Sequence, residues 1–365
     1  MVRRIAKALF VIASIVVICL MVLISYSGWK DILSQYKQYK QAADIQHTRE
    51  RMLDQFTASA EWIIFPVVLD ENLAALAVIN RITEERMLVS SGRRFLAFPQ
   101  FSADGKRVLV IRGNQSTGHS QLLSCTIDDW GCRVLTEAAT PIRWPVEVRK
   151  DVVLYAGSTA YGDDGKRLHY DFYLVDSSSQ PVRLSEFHLY SLHALNVFDD
   201  KIMFCAYGSV SPTNVLFPHP APLADASSEI LMLQVDWKEK RFIIPSHRLQ
   251  ALYMIDGYST LPATSANGAA VAFVNGRMAA GRYQYNLVVA KLDGTIQKYL
   301  DAATPQGFSR PAFVGSSVLA NQVFENRYET TLVDLTDNSV RQAGAFDYTP
   351  EALQSLRRFE ILIRE

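Results

Sequence analysis

The sequence predicts an all-β fold, a six-bladed β-propeller with five or seven blades as the alternatives, preceded by one transmembrane helix and a helical stalk. Three observations carry that prediction: a charge-free apolar run near the N-terminus, a stretch of helix formers without Gly or Pro behind it, and then short β-rich runs repeating at a nearly even spacing. In chain order this gives a cytoplasmic tail (1–7), a transmembrane helix (8–27), a stalk (28–58) and a propeller (59–365) closed by strands from both ends.

The apolar run, Ala8 to Tyr26, contains no charged residue. At about 1.5 Å per residue it forms a helix of roughly 28 Å, close to the hydrocarbon thickness of a bilayer. Arg3, Arg4 and Lys7 stand at its N-terminal flank, so the positive-inside rule keeps the tail in the cytoplasm and exports the rest. Lys30, Lys37 and Lys40 weaken that vote without reversing it. The alternative is a cleaved signal peptide, because Ser25-Tyr26-Ser27 before Gly28 imitates a small-x-small cleavage site. A run longer than the usual signal core, and Trp29 as an interfacial anchor, favour retention in the inner membrane. In the stalk Ile32, Tyr36, Tyr39 and Ala43 begin a coiled-coil stripe that Gln46 and Glu50 interrupt. It reads either as a continuation of the membrane helix or as a coil that joins copies into a homo-oligomer.

The clearest repeat is Pro99 to Thr136, PQFSADGKRVLVIRG followed by QLLSCTIDDWGCRVLT. Asp104-Gly105 turns one hairpin and Asp128-Asp129-Trp130-Gly131 the next, since Asp and Gly supply the positive φ of tight turns. The same plan returns as VVLYAG with DFYLVD and PVRLSE, KIMFCAYG with EILMLQVD and RFIIP, AVAFVNG with YNLVVAKLDG and IQKYL, and SVLANQVF with ETTLVDL and SVRQAGAF. Turn marks near Asp104, Lys150, Asp200, Asn267 and Gly315 are spaced 46 to 67 residues apart and define five blades. The remaining pieces are WIIFPVVL, NLAALAVIN and RMLVSS at the front and RRFEILIRE at the end. Three strands from one terminus and one from the other are expected to complete a sixth blade, because closure removes the unpaired edges of an open sheet.

FSADGKRVLVIRG, with QLLSCTI and RVLT after it, resembles the repeat of TolB-type and related WD-like propellers, in which a Phe-Ser-x-Asp-Gly-Lys turn opens the second strand and Leu-Thr ends the blade. The resemblance covers Phe101 to Thr136 and is echoed in Gly162-Asp-Asp-Gly-Lys166, Ala266-Asn267-Gly268 and Arg183-Leu184-Ser185. It implies a periplasmic or surface scaffold that presents its faces to other proteins or glycans.

Charge and cysteine usage set further bounds. Lys and Arg number 37 and Asp and Glu 37, so no net positive charge is available for nucleic acid. Hydrophobic residues at 49% and charged residues at 20% describe an ordinary folded chain rather than a disordered one. Cys19 lies in the apolar run, which leaves Cys125, Cys132 and Cys205 outside it. Cys125 and Cys132 flank one hairpin turn, so either a disulfide joins its arms or both stay thiols; Cys205 reads as core. No C-x-x-C pair exists, and neither a metal nor a cofactor is expected. His188 and His193 fall on a strand and loop rather than on one helical face, and Gly162-Asp-Asp-Gly165 lacks the alternating ligands of a calcium loop.

Hydrolase signals are partial. Gly118-His-Ser120-Gln-Leu122 lacks the final Gly of a nucleophile elbow, and Ser102-Ala-Asp104-Gly105 lacks the Thr-Trp of an Asp-box. The dense carboxylates Asp128-Asp129, Asp163-Asp164 and Asp199-Asp200 each fall where a turn is expected. One segment breaks the rhythm: Ser209 to Ser228, with four prolines. Within it Val215, Leu216, Phe217, Pro218, His219 and Pro220 form a candidate docking edge, since a Pro-rich chain loses little entropy on binding; the alternative is a disordered insertion. Trp130, Trp144, Tyr161, Tyr170 and Tyr283 are read as sugar-stacking platforms or as packing. The expected role is a non-enzymatic scaffold or accessory subunit of an envelope assembly, with other envelope proteins or glycans as partners. The competing expectation is a carbohydrate-active hydrolase with two carboxylates converging in the propeller funnel.

Overall fold

The structure, a computed structural model, describes residues 55–365 apart from 71–72, 93, 114–118, 162–167, 177–179, 190–191, 207–228, 244–257, 280–281, 305–306, 325–326, 348, 358–359 and 365. The expected membrane helix, nearly all of the stalk, and the docking edge Val215 to Pro220 lie outside the described residues. Among the described residues no helix is long and apolar enough to cross a membrane.

Six sheets follow one another along the chain. Blade 1 opens with β1 (Thr57–Ala58), β2 (Trp62–Asp70), β3 (Leu73–Asn80) and β4 (Arg86–Ser90). Blade 2 comprises β5 (Phe95–Phe101), β6 (Arg107–Gly113), β7 (Ser120–Thr126) and β8 (Cys132–Ala138). Blade 3 comprises β9 (Ile142–Arg149), β10 (Val152–Tyr161), β11 (Leu168–Asp176) and β12 (Val182–Arg183). In blade 4 come β13 (Leu192–Phe198), β14 (Lys201–Ala206), β15 (Glu229–Asp236) and β16 (Arg241–Ile243), and in blade 5 β17 (Tyr258–Thr264), β18 (Ala270–Ala279), β19 (Arg282–Lys291) and β20 (Ile296–Leu300). Blade 6 holds β21 (Ala312–Val314), β22 (Ser317–Phe324), β23 (Arg327–Asp334) and β24 (Val340–Asp347). Strands within each blade pair antiparallel in chain order. The first strands touch one another in sequence, and β1 meets both β5 and β21, so the ring closes at six.

Second and third strands are covered on both faces by neighbouring blades, which is why they read as unbroken apolar runs instead of alternating ones. Val108, Leu109, Val110 and Ile111 are all buried, as are Val271 to Val274 and Leu287 to Ala290. In blades 2 to 6 the fourth strand is the outer edge, and β8 carries exposed Arg133 and Val134 there.

Ring closure corrects two expectations. The stalk was expected to run to residue 58, but Gln55 and Phe56 are buried and Thr57–Ala58 already pairs with β2. The apolar Phe56 is drawn into the core with Phe65, Phe346 and Leu353 instead of continuing a helical stripe. Blade 1 therefore has all four antiparallel strands from the N-terminal side, and the C-terminal piece adds a fifth. That piece arrives through a helix the sequence reading passed over, α1 (Pro350–Leu356), where Thr349 Oγ1 accepts the Ala352 N–H at 3.2 Å and Pro350 fits the first turn. The last strand, β25 (Glu360–Leu362), pairs parallel to β4 with Ile361 opposite Val89. Both β24 and β4 are fourth strands, so a chain crossing over by a helix comes to lie beside β4 in the same direction.

The tail then reaches blade 2. The Ile363 N–H donates to Ser90 O at 3.0 Å, the Arg364 N–H to Trp130 O at 3.2 Å and the Cys132 N–H to Arg364 O at 2.6 Å. Trp130 is 1% exposed and packs with Ile64, Val89, Ile361 and Ile363. A disulfide joins Cys125 to Cys132, which face each other across β7 and β8 with Cα atoms 4.0 Å apart, and it braces the hairpin that holds the tail.

Turn chemistry repeats between blades. The Ser102 hydroxyl donates to Asp104, whose Oδ1 also accepts the Lys106 N–H at 3.0 Å. In blade 5 the Ser265 hydroxyl donates to Asn267, which accepts the Ala269 N–H at 3.1 Å. The hydrogen bond from Ser102, then that from the Lys106 N–H, holds the Asp104 carboxyl below its usual range. Asp151 is held low chiefly by Arg107, and Asp129 by Thr126. A depressed folded value means that the stabilisation is present above the ordinary aspartate value of about 3.9 and is lost as pH falls through the folded value. The urea midpoint is expected to drop as pH is lowered below about 4. Asp104→Asn should blunt that drop while leaving the midpoint at pH 7 nearly unchanged, because Asn267 shows that an amide makes the same turn. A variant with the full acid sensitivity of the parent would show that Asp104 contributes none of it.

Candidate functional site

Every first strand lines the propeller axis, and five of the six carry the same irregularity. Between Ala97 and Gln100, between Arg143 and Val146, between His193 and Asn196, and between Thr260 and Ala263, one extra residue is inserted relative to the partner strand. The residue at the bulge has positive φ: Phe98 at 53°, Trp144 at 51°, Ala194 at 52° and Leu261 at 53°. Pro99, Pro145 and Pro262 follow directly, at an edge where the missing N–H costs no ladder bond. In blade 6 Phe308 faces Gln322 and Ala312 faces Leu319, so the extra residue falls at Ser309-Arg310-Pro311.

Arg310 occupies this bulge with its backbone pinned on both sides. Gly307, at φ 74°, leads into it, and a Cβ there would meet Tyr285 O at 2.3 Å, so only glycine fits the approach. Phe308 N–H donates to Tyr285 O at 2.8 Å and Ser309 N–H to Asn321 O at 2.8 Å. In a ring of six, blade 6 lies opposite blade 3. The Arg310 guanidinium carbon is 5.1 Å from the centroid of the Trp144 ring of blade 3, so the side chain crosses the axis. It also donates to Gln100 Oε1 of blade 2 at 3.3 Å, and to Leu195 O and Asn196 Oδ1 of blade 4 at 3.5 and 3.3 Å. Asn196 is itself held by Ala194 O at 2.6 Å and Pro262 O at 2.7 Å, and Trp144 packs on Phe98 at 4.9 Å. Burial pushes the Arg310 guanidinium down to about 10, so it stays charged at neutral pH. Its Nε–H has no acceptor among the described residues.

A second buried polar group ties blade 3 to blade 4. Asp171 in β11 is fully buried and accepts from Arg183 Nη2 at 2.8 Å, Ser185 Oγ at 3.1 Å and the His188 N–H at 3.0 Å. These three partners hold the connection that leads from β12 toward β13, flanked by Phe187 and Leu189 in the core. Blade 5 uses Asn286 at the matching place in β19, where it accepts the Ala302 N–H at 2.9 Å.

The residues singled out in the sequence are scattered. Asp129 accepts from Thr126 and from the Gly131 N–H, and Asp200 accepts from Gln234 at 2.7 Å, so these carboxylates serve turns. Asp163 and Asp164 lie outside the described residues. His188 Nδ1 stands 3.4 Å from Asp171, whereas His193 faces Trp144 at 6.3 Å, so the two histidines belong to different places. His119 pairs with Glu137 at 3.1 Å on the surface. Trp130, Trp144 and Tyr170 are buried, which makes them packing groups rather than open platforms for sugars; the Tyr161 and Tyr283 side chains lie outside the described residues. Cys205 is a buried thiol. Sequence reasoning missed Arg310. The signal that could have found it is the dipeptide x-Pro in the first strand, with Phe98-Pro99 and Leu261-Pro262 each ahead of a Ser-x-Asp/Asn-Gly turn and Arg310-Pro311 in the same place before Gly315.

Fold and axis together define a six-bladed β-propeller with a charged arginine across its bore. No family model and no curated protein matches the chain. Among solved structures it is similar to TolB from Acinetobacter baumannii, with TM-score 0.55 at 13% identity over 77% of this chain and 63% of that one. The chain thus spans less than two thirds of that TolB's length. Hydrazine synthase from Kuenenia stuttgartiensis gives TM-score 0.54 at 11% identity over 82% of this chain and 46% of that one. A puromycin hydrolase gives 0.51 at 13% identity over 80% and 53%. At such identities the likeness is one of fold.

Proposed function

We propose that this chain is a membrane-anchored, extracytoplasmic propeller that works as a binding scaffold, an accessory subunit of a cell-envelope assembly whose partners are other envelope proteins or glycans. The observation that carries the reading is the chemistry of the axis. Its polar side chains that meet at Arg310 are an arginine and two amides, Gln100 and Asn196, which suits recognition. A glycosidase needs two carboxylates facing each other at about 5 to 9.5 Å, whereas Asp129, Asp151 and Asp200 serve turns and ion pairs. Export is supported by the flanked apolar run and agrees with a cross-strand disulfide, a bond that persists in oxidising compartments.

The test is affinity purification of the full-length protein from its native membrane in mild detergent, with co-purifying proteins identified by mass spectrometry. A variant lacking Ser209 to Ser228 is run beside it. Stoichiometric partners are expected with the parent, and their loss with the deletion would assign the Pro-rich segment as the contact. Purification of the parent alone would overturn the scaffold reading and bring glycan hydrolysis assays forward.

A further inference from the structure

We infer that the propeller axis is a receptor for a carboxylate, carried by the free C-terminus of a peptide or by a small organic acid, with Arg310 as the group that binds it. The inference rests on the binding role proposed above and gives that role a ligand chemistry.

Three features of Arg310 converge on an anion. First, the group is 4% exposed, and its only described contacts are neutral: two amide oxygens, one backbone carbonyl and the face of Trp144. Burial is the cause of the downward direction in which its proton affinity moves, and among the described residues no carboxylate contacts it. A buried cation with no carboxylate among its described contacts is costly, and a protein that keeps one at the centre of its structure has a use for the charge. Second, the guanidinium is under-satisfied. Its hydrogen bonds of 3.3 to 3.5 Å lie beyond the usual range of about 2.7 to 3.2 Å, and its Nε–H has no acceptor among the described residues. A carboxylate would take shorter, charge-assisted bonds in their place. Third, the position is built. Arg310 comes from blade 6 and its contacts from blades 2, 3 and 4, and each of those contacts sits on a bulged first strand. A cation placed across the bore is met by anything that enters the axis, and the flat guanidinium favours a planar two-oxygen acid over a point anion.

Binding is tested on the full-length protein in detergent by tryptophan fluorescence, since Trp144 stacks on the guanidinium. The probes are acetate, N-acetyl-trialanine as the free acid, and the same tripeptide as its C-terminal amide. The free acid is expected to give a saturable change, and the amide to bind at least tenfold more weakly. Equal affinity for acetate would assign the site to small acids, and tighter binding of the peptide acid to chain ends. Arg310→Met should abolish the response. Because that variant removes a central cation and can fail to fold, Gln100→Glu serves as the second arm. It places a carboxylate where the amide oxygen already stands 3.3 Å from the guanidinium, so it should fold, melt higher than the parent, and lose the response to added acid by tenfold or more. Lys238→Met, on an exposed turn, should respond like the parent.

The inference is overturned if acid and amide bind alike, if no probe gives a saturable change, or if Gln100→Glu keeps the parental response. Its failure is separable from that of the scaffold reading. Partners recovered from the membrane without any acid binding would leave the scaffold standing, and acid binding without partners would leave the receptor.

Discussion

Asp171→Ala is expected to lower the stability of the propeller by about 3 to 5 kcal/mol, as removal of one member of a buried pair generally does. The carboxylate is fully buried and accepts three hydrogen bonds at once, from Arg183, Ser185 and the His188 backbone. Ser185 is engaged further, for its hydroxyl also accepts the Phe172 N–H at 3.0 Å. Alanine would leave the His188 N–H and the Ser185 hydroxyl without their acceptor and free the connection between blades 3 and 4. Arg183 is one-third exposed and can turn to water, which places the loss toward the lower end of that range. Asp171→Asn should cost less, since one amide oxygen can still accept from Ser185 and His188, as Asn286 does for Ala302 in blade 5. The measurement is urea denaturation of the three proteins at neutral pH, comparing midpoints with the slope held as a control. A loss under about 1 kcal/mol for the alanine variant, the net worth of an ordinary hydrogen bond, would show that Asp171 is not the strut described.

Trp130→Ala is expected to cost about 3 to 5 kcal/mol and, in addition, to release the C-terminal tail. The indole is almost wholly buried and fills the space between Ile64, Val89, Ile361 and Ile363, so its removal leaves a cavity under the strand that closes blade 1. The backbone at Trp130 keeps φ 54° whichever side chain it bears, so alanine gains nothing in conformational strain to offset the loss. Two readouts separate the effects. The urea midpoint reports the cavity, and carboxypeptidase trimming followed by mass spectrometry reports the tail. The parent should resist trimming at Ile363 and inward because its backbone is bonded on both sides, to Ser90 and to the Trp130–Cys132 hairpin. The variant should lose residues from the tail at denaturant concentrations at which the parent does not. Equal trimming of both proteins would mean that the tail is held by its hydrogen bonds alone.

Much of the architecture was legible because it depends on short-range chemistry. Asp104-Gly105 and Asn267-Gly268 announce hairpins since few other residues adopt the backbone those turns require, and the apolar runs of β6, β14, β18 and β22 announce strands covered on both faces. The Cys125–Cys132 pairing was left open between a bond and two thiols, and the register of β7 and β8 is what sets the two residues opposite one another. Far less of the candidate site could be read. Arg310 is one arginine among 37 basic residues, and nothing in its local sequence separates it from a surface charge. Its meaning comes from Gln100, Trp144 and Asn196, which lie 114 to 210 residues away along the chain. The same holds for Asp171, which opens the strand run DFYLVD and shows nothing locally that separates it from a surface acid.

The sequence alone determined an all-β propeller, the repeated plan of its blades, the residues that turn the hairpins and the apolar strands that fill the blades, because each of these is decided within one or two neighbouring strands; that the blades number six and not five or seven came from the closed ring. Only the tertiary structure decided how the ring is closed and what stands on its axis. Closure depends on which edge is left open once β1 to β4 have paired, and that edge is the outer one of β4, so the last strand joins there in parallel and not as the fourth member of the blade. The axis depends on six first strands meeting, and a side chain from one blade acquires its partners, its burial and its unbalanced charge only when the opposite blades are in place.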